Sequence, residues 1–206
     1  MHRYTRTVWL ALALASALTM WTASASAGRL SINPRPIRMV WNEMTFRTSS
    51  GERVTCAATL EGELEASTFA KVINLRMGVI NSAASGCSST IRFLTETSWD
   101  IRYETFLGTL PEIRNLSVKI TGFAFRWIGW LYDCLYRSEI NRPIPIYATR
   151  NLETAQLTRV DFSIAARLPP IIGASCRAER DEVALSGSGT ISRRGEGEGI
   201  FVNLIA

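Results

Sequence analysis

The chain has 206 residues, with 23 Lys and Arg set against 18 Asp and Glu, and its single histidine is His2. A charge excess this small, carried by dispersed basic residues, leaves no footprint for nucleic acid. With its only imidazole at position 2, the body of the chain lacks the usual general base near neutral pH, the Ser-His and Cys-His nucleophile pairs, and the commonest transition-metal ligand.

The first 27 residues read as a secretory signal peptide. Arg3 and Arg6 give a basic start, an apolar run of 14 residues spans Val8 to Trp21, and Ala25-Ser26-Ala27 supplies the small residues before cleavage, expected between Ala27 and Gly28. The apolar run falls short of the roughly 20 residues a membrane-spanning helix needs, so no transmembrane anchor is expected after cleavage. His2 leaves with this segment. What remains, Gly28 to Ala206, is 179 residues with 21 basic and 18 acidic side chains. That length suits one secreted domain burying roughly 70% of its unfolded surface.

In chain order, the mature segment alternates instead of repeating at helical spacing. Arg38–Thr48 is a first strand candidate. In "VTCAATLEGEL" Val54, Cys56, Ala58, Leu60 and Leu64 take one side, while Arg53, Thr55, Thr59, Glu61, Glu63 and Glu65 take the other. This period of two marks a strand with one buried and one wet face. "STFAKVINLRMGVI" reads two ways: helically, with Ser67 as N-cap and Phe69, Ile73, Met77 and Ile80 on one stripe, or as an alternating strand. We expect a helical turn near Thr68–Val72 that leads into a strand. Thr90–Leu94 follows, then "SWDIRYET" with Trp99, Ile101 and Tyr103 on one face, then Leu116, Val118 and Ile120, with Gly122 as a bulge or bend. Ile140–Arg150, Leu157–Leu168, Glu182–Ser192 and Gly199–Ile205 complete the series. Many short strands divided by glycine-bearing breaks predict an all-β domain, a mainly antiparallel sandwich or barrel with at most one short helix.

Four cysteines, Cys56, Cys87, Cys134 and Cys176, fit no zinc-binding spacing. An even count in an exported chain favours two disulfides. Three connectivities exist, and sequential pairing, Cys56–Cys87 with Cys134–Cys176, is favoured because it staples each half locally. No metal site, cofactor or catalytic residue is expected.

The stretch "FRWIGWLYDCLYR" over Phe125–Arg137 is the main candidate for recognition. Trp127, Trp130, Tyr132 and Tyr136 form a candidate binding surface, since flat aromatic faces stack on sugars or on a partner's apolar patch. The competing reading buries these rings over the Cys134 disulfide, and it carries more weight. A membrane-surface role is third, for want of a basic amphipathic helix. Glu61, Glu63 and Glu65 project carboxylates that could hold a hard cation or supply half of an acid–base pair, although a wet strand face accounts for them more simply. Gly187-Ser188-Gly189 lacks both the first glycine and the histidine of a nucleophile elbow. Asn115-Leu116-Ser117 is a glycosylation sequon.

The phrases "VTCAATLEGEL", "STFAKV", "WDIRYETFLGTLPEI", the "DCL" around Cys134 and "LSGSGT" resemble small exported proteins of GC-rich actinobacteria, over roughly Val40 to Leu204. The resemblance implies export and a β-rich, disulfide-bonded domain, and no activity. The expected function is therefore an exported, non-catalytic binding or structural domain, secreted or at the cell envelope, whose ligand is a glycan, another protein or an apolar molecule. The alternative is a carboxylate-dependent, glycosidase-like hydrolase, which needs no histidine.

Overall fold

The computed structural model describes residues 29–33, 35–87, 90–108, 113–129, 133–162, 167–172, 176 and 182–205. None of these is helical. The strands in chain order are β1 (Arg29–Asn33), β2 (Pro36–Thr48), β3 (Arg53–Leu64), β4 (Thr68–Ala70), β5 (Arg76–Ser85), β6 (Ile91–Phe93), β7 (Trp99–Leu107), β8 (Asn115–Thr121) and β9 (Ala124–Ile128). There follow β10 (Asp133–Arg137), β11 (Ile144–Arg150), β12 (Leu157–Phe162), β13 (Arg167–Leu168), β14 (Pro170–Ile172), β15 (Val183–Ser186), β16 (Ser188–Arg193) and β17 (Phe201–Ile205).

Eight of them close a barrel. The sheet runs β2-β16-β12-β11-β8-β7-β5-β3, and β3 pairs back onto β2. Every pairing around the ring is antiparallel. Read by chain order, each barrel strand lies beside the previous and the next one, which is an up-and-down barrel with no free edge within the ring. Eight strands leave an interior that side chains just fill, or that holds one small ligand.

Alternation explains why these strands face as they do. Along β2, Ile37, Met39 and Trp41 are buried, then Asn42 and Glu43 are both exposed, then Met44, Phe46 and Thr48 are buried. The register slips between Trp41 and Met44, so one extra residue bends the strand and keeps both buried triplets inside. Gly62 and Gly78 permit another close fit. A Cβ on Gly62 would sit 2.2 Å from the Val79 carbonyl oxygen, and one on Gly78 would sit 2.4 Å from that of Glu63. Only glycine lets β3 and β5 close up there as the wall bends. Outward faces are charged, with ion pairs Arg38–Glu61, Lys119–Glu104 and Arg159–Asp161. An apolar inside and charged outside is the reverse of a barrel that faces lipid.

In an up-and-down barrel, successive connections alternate between the two ends. One end receives the long excursions 86–98, 122–143 and 163–187, which carry the sheet β14-β10-β9-β6. The other receives the short connections 108–114 and 151–156, the passage through β4, and the sheet β17-β1-β4. Both disulfides lie toward the first end: Cys56–Cys87, with Cα atoms 5.6 Å apart, and Cys134–Cys176, at 5.9 Å. The sequential pairing is the one formed.

One local expectation needs correction. Thr68–Val72 makes no helical turn: Thr68–Ala70 is a strand, with Phe69 opposite Leu30 and Ala70 opposite Arg29. The supposed stripe breaks at Ile73, which is 64% exposed while Phe69 and Met77 are buried. Pairing with β1, remote in sequence, supplies the backbone hydrogen bonds that a helical turn would have made, and tertiary context overrides local propensity. Gly122 forms the expected bend, at φ +80° just after β8. Its N–H donates to the Ser138 carbonyl. Ser138, itself buried, donates its hydroxyl to the Ile120 carbonyl and accepts from the Phe123 N–H, tying the excursion to the barrel.

Candidate functional site

The aromatic stretch lies mainly on β9 and β10. Trp127 faces Cys134 across that pair and Ile91 on β6, and it is 1% exposed. Tyr136, equally buried, stacks on Phe125 with ring centroids 4.8 Å apart. Phe125 in turn meets Phe46 of the barrel edge-on at 5.1 Å. Phe123 packs against Trp99 at 4.5 Å, and Trp99 donates its indole N–H to the Leu94 carbonyl. Trp127 and Tyr136 are thus core residues that close one end of the barrel, and neither offers a face to a surface ligand. Trp130 and Tyr132 lie outside the described residues. On the outer face of the same pair, Arg126 and Asp133 form a bidentate pair, and the hydrogen bonds from Arg126 hold the Asp133 carboxyl below its ordinary range.

The carboxylates Glu61 and Glu63 of β3, and Glu65 just after it, are each taken by an arginine. Glu61 pairs with Arg38 at 3.5 Å, Glu63 with Arg35 at 3.4 Å and Glu65 with Arg76 at 2.9 Å. Arg76 also bonds Asp100, which accepts from Arg102 at 2.6 Å. Arg38 and Arg76 come from the neighbouring strands β2 and β5, where outward residues align across the ladder as between Arg38 and Glu61, and Arg35 comes from the bend just before β2. The carboxylates neutralise a wall and converge on no common point.

What the barrel does contain is a cavity of about 50 Å³ on its axis, lined by apolar side chains only. All eight barrel strands contribute to it, among them Met39, Met77, Val118, Ala148, Val160 and Ile191. Ile32 of β1 and Val202 of β17 cover it from the β17-β1-β4 sheet, joined by Ile200 just before β17. Every lining residue is buried. The space exists because Ala148 and the valines are short where the facing strands place no aromatic ring. Nearby Tyr103 is buried on β7, and that burial pushes its phenol above the ordinary tyrosine range.

A second concavity lies on the outer wall, about 390 Å³, over β2, β16 and β12. Val40, Asn42, Thr158, Arg159, Ser188, Gly189 and Thr190 line it. Beneath it Gly189 lets β16 approach Trp41 closely: a Cβ there would lie 2.5 Å from the Val40 carbonyl oxygen and 2.8 Å from the indole. Ser188 therefore belongs to a wall strand, and Arg159 is engaged by Asp161 at 2.9 Å. Neither concavity has an Asp or Glu in its lining, so neither presents the facing carboxylates a glycosidase needs.

The cavity residues were legible in sequence only as inward-facing positions. Alternation separates inside from outside, but it does not distinguish a filled interior from one with a gap. The one local hint is Ala148, a small residue at an inward position between larger ones.

The class these features define is an up-and-down eight-stranded barrel, apolar within and covered at both mouths. Comparison with family models, curated proteins and solved structures finds no match.

Proposed function

We propose that the chain is an exported, non-catalytic binding domain whose barrel interior receives a small apolar ligand. The observation that carries this reading is the polar-free cavity on the barrel axis. An apolar cavity is dry, and its empty walls forgo dispersion contacts that an apolar guest restores. At about 50 Å³ it has a third of the volume of cavities known to admit benzene, roughly 150 Å³. A larger guest requires side chains to move, and Met39 and Met77, flexible thioethers on the wall, are the ones suited to do so. The two disulfides support export, because such bonds persist in oxidising compartments.

Methyl NMR of the mature chain, under xenon pressure or with a short alkane, tests the reading. The methyl signals of Val118, Ala148 and Val160 should shift saturably, and Ala148→Phe, which fills the space, should abolish the effect. Unshifted cavity methyls at saturating probe would defeat it.

A further inference from the structure

Among the described residues, the large apolar side chains left exposed are not spread evenly. Six of these ten, Val72, Ile73, Leu107, Leu152, Phe201 and Ile205, lie at the end of the barrel that holds the cavity. Val72, Ile73 and Leu152 are loop tips and Leu107 ends β7; they are exposed by 57%, 64%, 86% and 62% respectively. Phe201 and Ile205 stand on the outer face of β17, whose inner residue Val202 lines the cavity.

Backbone hydrogen bonds bind the tips into one band. Asn74 N–H donates to Tyr103 and Tyr103 N–H to Leu75, which fixes the 71–75 turn against β7. Lys71 places its ammonium 5.8 Å from the Phe106 ring, beside Leu107. Arg114 N–H donates to Leu107, and Arg150 N–H donates to Arg114, two residues before Leu152. Cations are interleaved with these aliphatic tips. Arg29 lies opposite Ile205 on the outer face of the covering sheet, Lys71 precedes Val72, and exposed Arg114 sits between Leu107 and the 151–156 turn. None of the three forms an ion pair among the described residues. Carboxylates stand at this end as well: Glu65 is paired with Arg76 and Glu196 with Arg193, while Glu153 is next to Leu152 and Glu198 precedes Phe201. At the opposite end Ile140 is comparably exposed, at 66%, but it lies in the 139–142 turn between Glu139 and Arg142.

Aliphatic tips with interleaved cations on one end suit a lipid interface, where apolar side chains enter the acyl boundary and cations meet anionic headgroups. We propose that the cavity end of this barrel docks on an anionic lipid surface. Docked in this way, the β17-β1-β4 cover lies against the acyl layer, a direct source of apolar guests. That last link rests on the ligand reading above; the docking itself does not.

Co-sedimentation of the mature chain with vesicles tests it. Binding to phosphatidylglycerol-containing vesicles should exceed binding to pure phosphatidylcholine by roughly a hundredfold, from three cations at the surface, and should fall as salt is added. Ile73→Asp/Leu107→Asp/Leu152→Asp should abolish it, whereas Ile140→Asp at the far end should leave it unchanged, with circular dichroism confirming that both variants fold. Lys71→Glu/Arg114→Glu should remove the preference for anionic vesicles. The proposal is overturned if the wild-type chain stays in the supernatant, if the aspartate variant binds as well as wild type, or if the tips prove to hold a protein partner instead. Ala148→Phe separates the two readings: vesicle binding should survive in a variant that no longer takes up the apolar probe.

Discussion

One end of this barrel is closed by interlocking rings, and the other by aliphatic side chains around a gap. At the aromatic end, Phe46, Phe93, Trp99, Phe123, Phe125 and Tyr136 meet at centroid distances between 4.5 and 6.3 Å. Edge-on and stacked contacts of this kind restrict geometry as well as bury area. Both disulfides lie on that side. The aliphatic end has no aromatic ring lining its cavity, only branched and thioether side chains. At about 24 cal/mol per Å³, a 50 Å³ void forgoes about 1 kcal/mol, a small part of a domain's usual 5–15 kcal/mol. The molecule holds its shape at one end and can tolerate unfilled space at the other. The proposed binding role would need that division, because a cavity stays open only if its frame is secured elsewhere.

The largest expected effect strikes the secured end. Phe125→Ala removes a ring that touches Phe46, Phe123 and Tyr136 at once. Because its neighbours are braced, the site cannot collapse, and the loss should be about 3–5 kcal/mol by urea unfolding. Met77→Leu on the cavity wall, a volume-conserving exchange beside free space, should cost less than about 1.5 kcal/mol. Equal losses would erase the distinction between the ends.

Next in size is the clamp. Replacing Cys134 and Cys176 together by alanine should lower stability by about 2–5 kcal/mol. Hydrogen exchange should quicken first in β9 and β10, which flank the Cys134 anchor, before β8 or β11 at the cavity. Uniform loss of protection over the whole chain would show that the two ends do not differ in this way.

Much of this architecture can be read from the residues, and the parts that cannot have physical reasons. Alternation in "VTCAATLEGEL" and "SWDIRYET" identifies β3 and β7 and their inward faces, because half-buried strands demand it. Sequential cysteine pairing is favoured by local stapling among three connectivities, and it is the one formed. Closure does not follow, since a sandwich and a barrel impose the same period of two, and the pairing of β3 back onto β2 depends on twist and register. β1 escaped notice because five residues with two buried positions give too little pattern. The break within Glu182–Ser192 is set by the bulge it faces: β15 pairs with β2 beyond the Trp41–Met44 slip and β16 before it. At the candidate site, Trp127 and Tyr136 look alike as platform or core until the fold places Phe46 beneath Phe125. The cavity is an absence of atoms among ordinary core residues, and no residue type marks it.

The smallest expected effect is also the sharpest test, because the same exchange should change sign between the two ends. Ala58 is buried on β3, opposite Trp41, whose indole stacks on Phe162 at 4.9 Å. Ala148 is buried on β11 at the edge of the cavity. Valine adds the same two methyl groups at each position and suits a strand equally at both. At Ala58 those methyl groups enter filled space, and side chains must leave their preferred rotamers, at a cost of about 1–3 kcal/mol. At Ala148 they enter the void, recover dispersion contacts, and should raise stability by about 0.5–1 kcal/mol. Paired urea titrations read both values on one scale. If Ala148→Val destabilised the barrel as Ala58→Val does, the aliphatic end would be as tightly packed as the aromatic one, and the room for a guest would not exist.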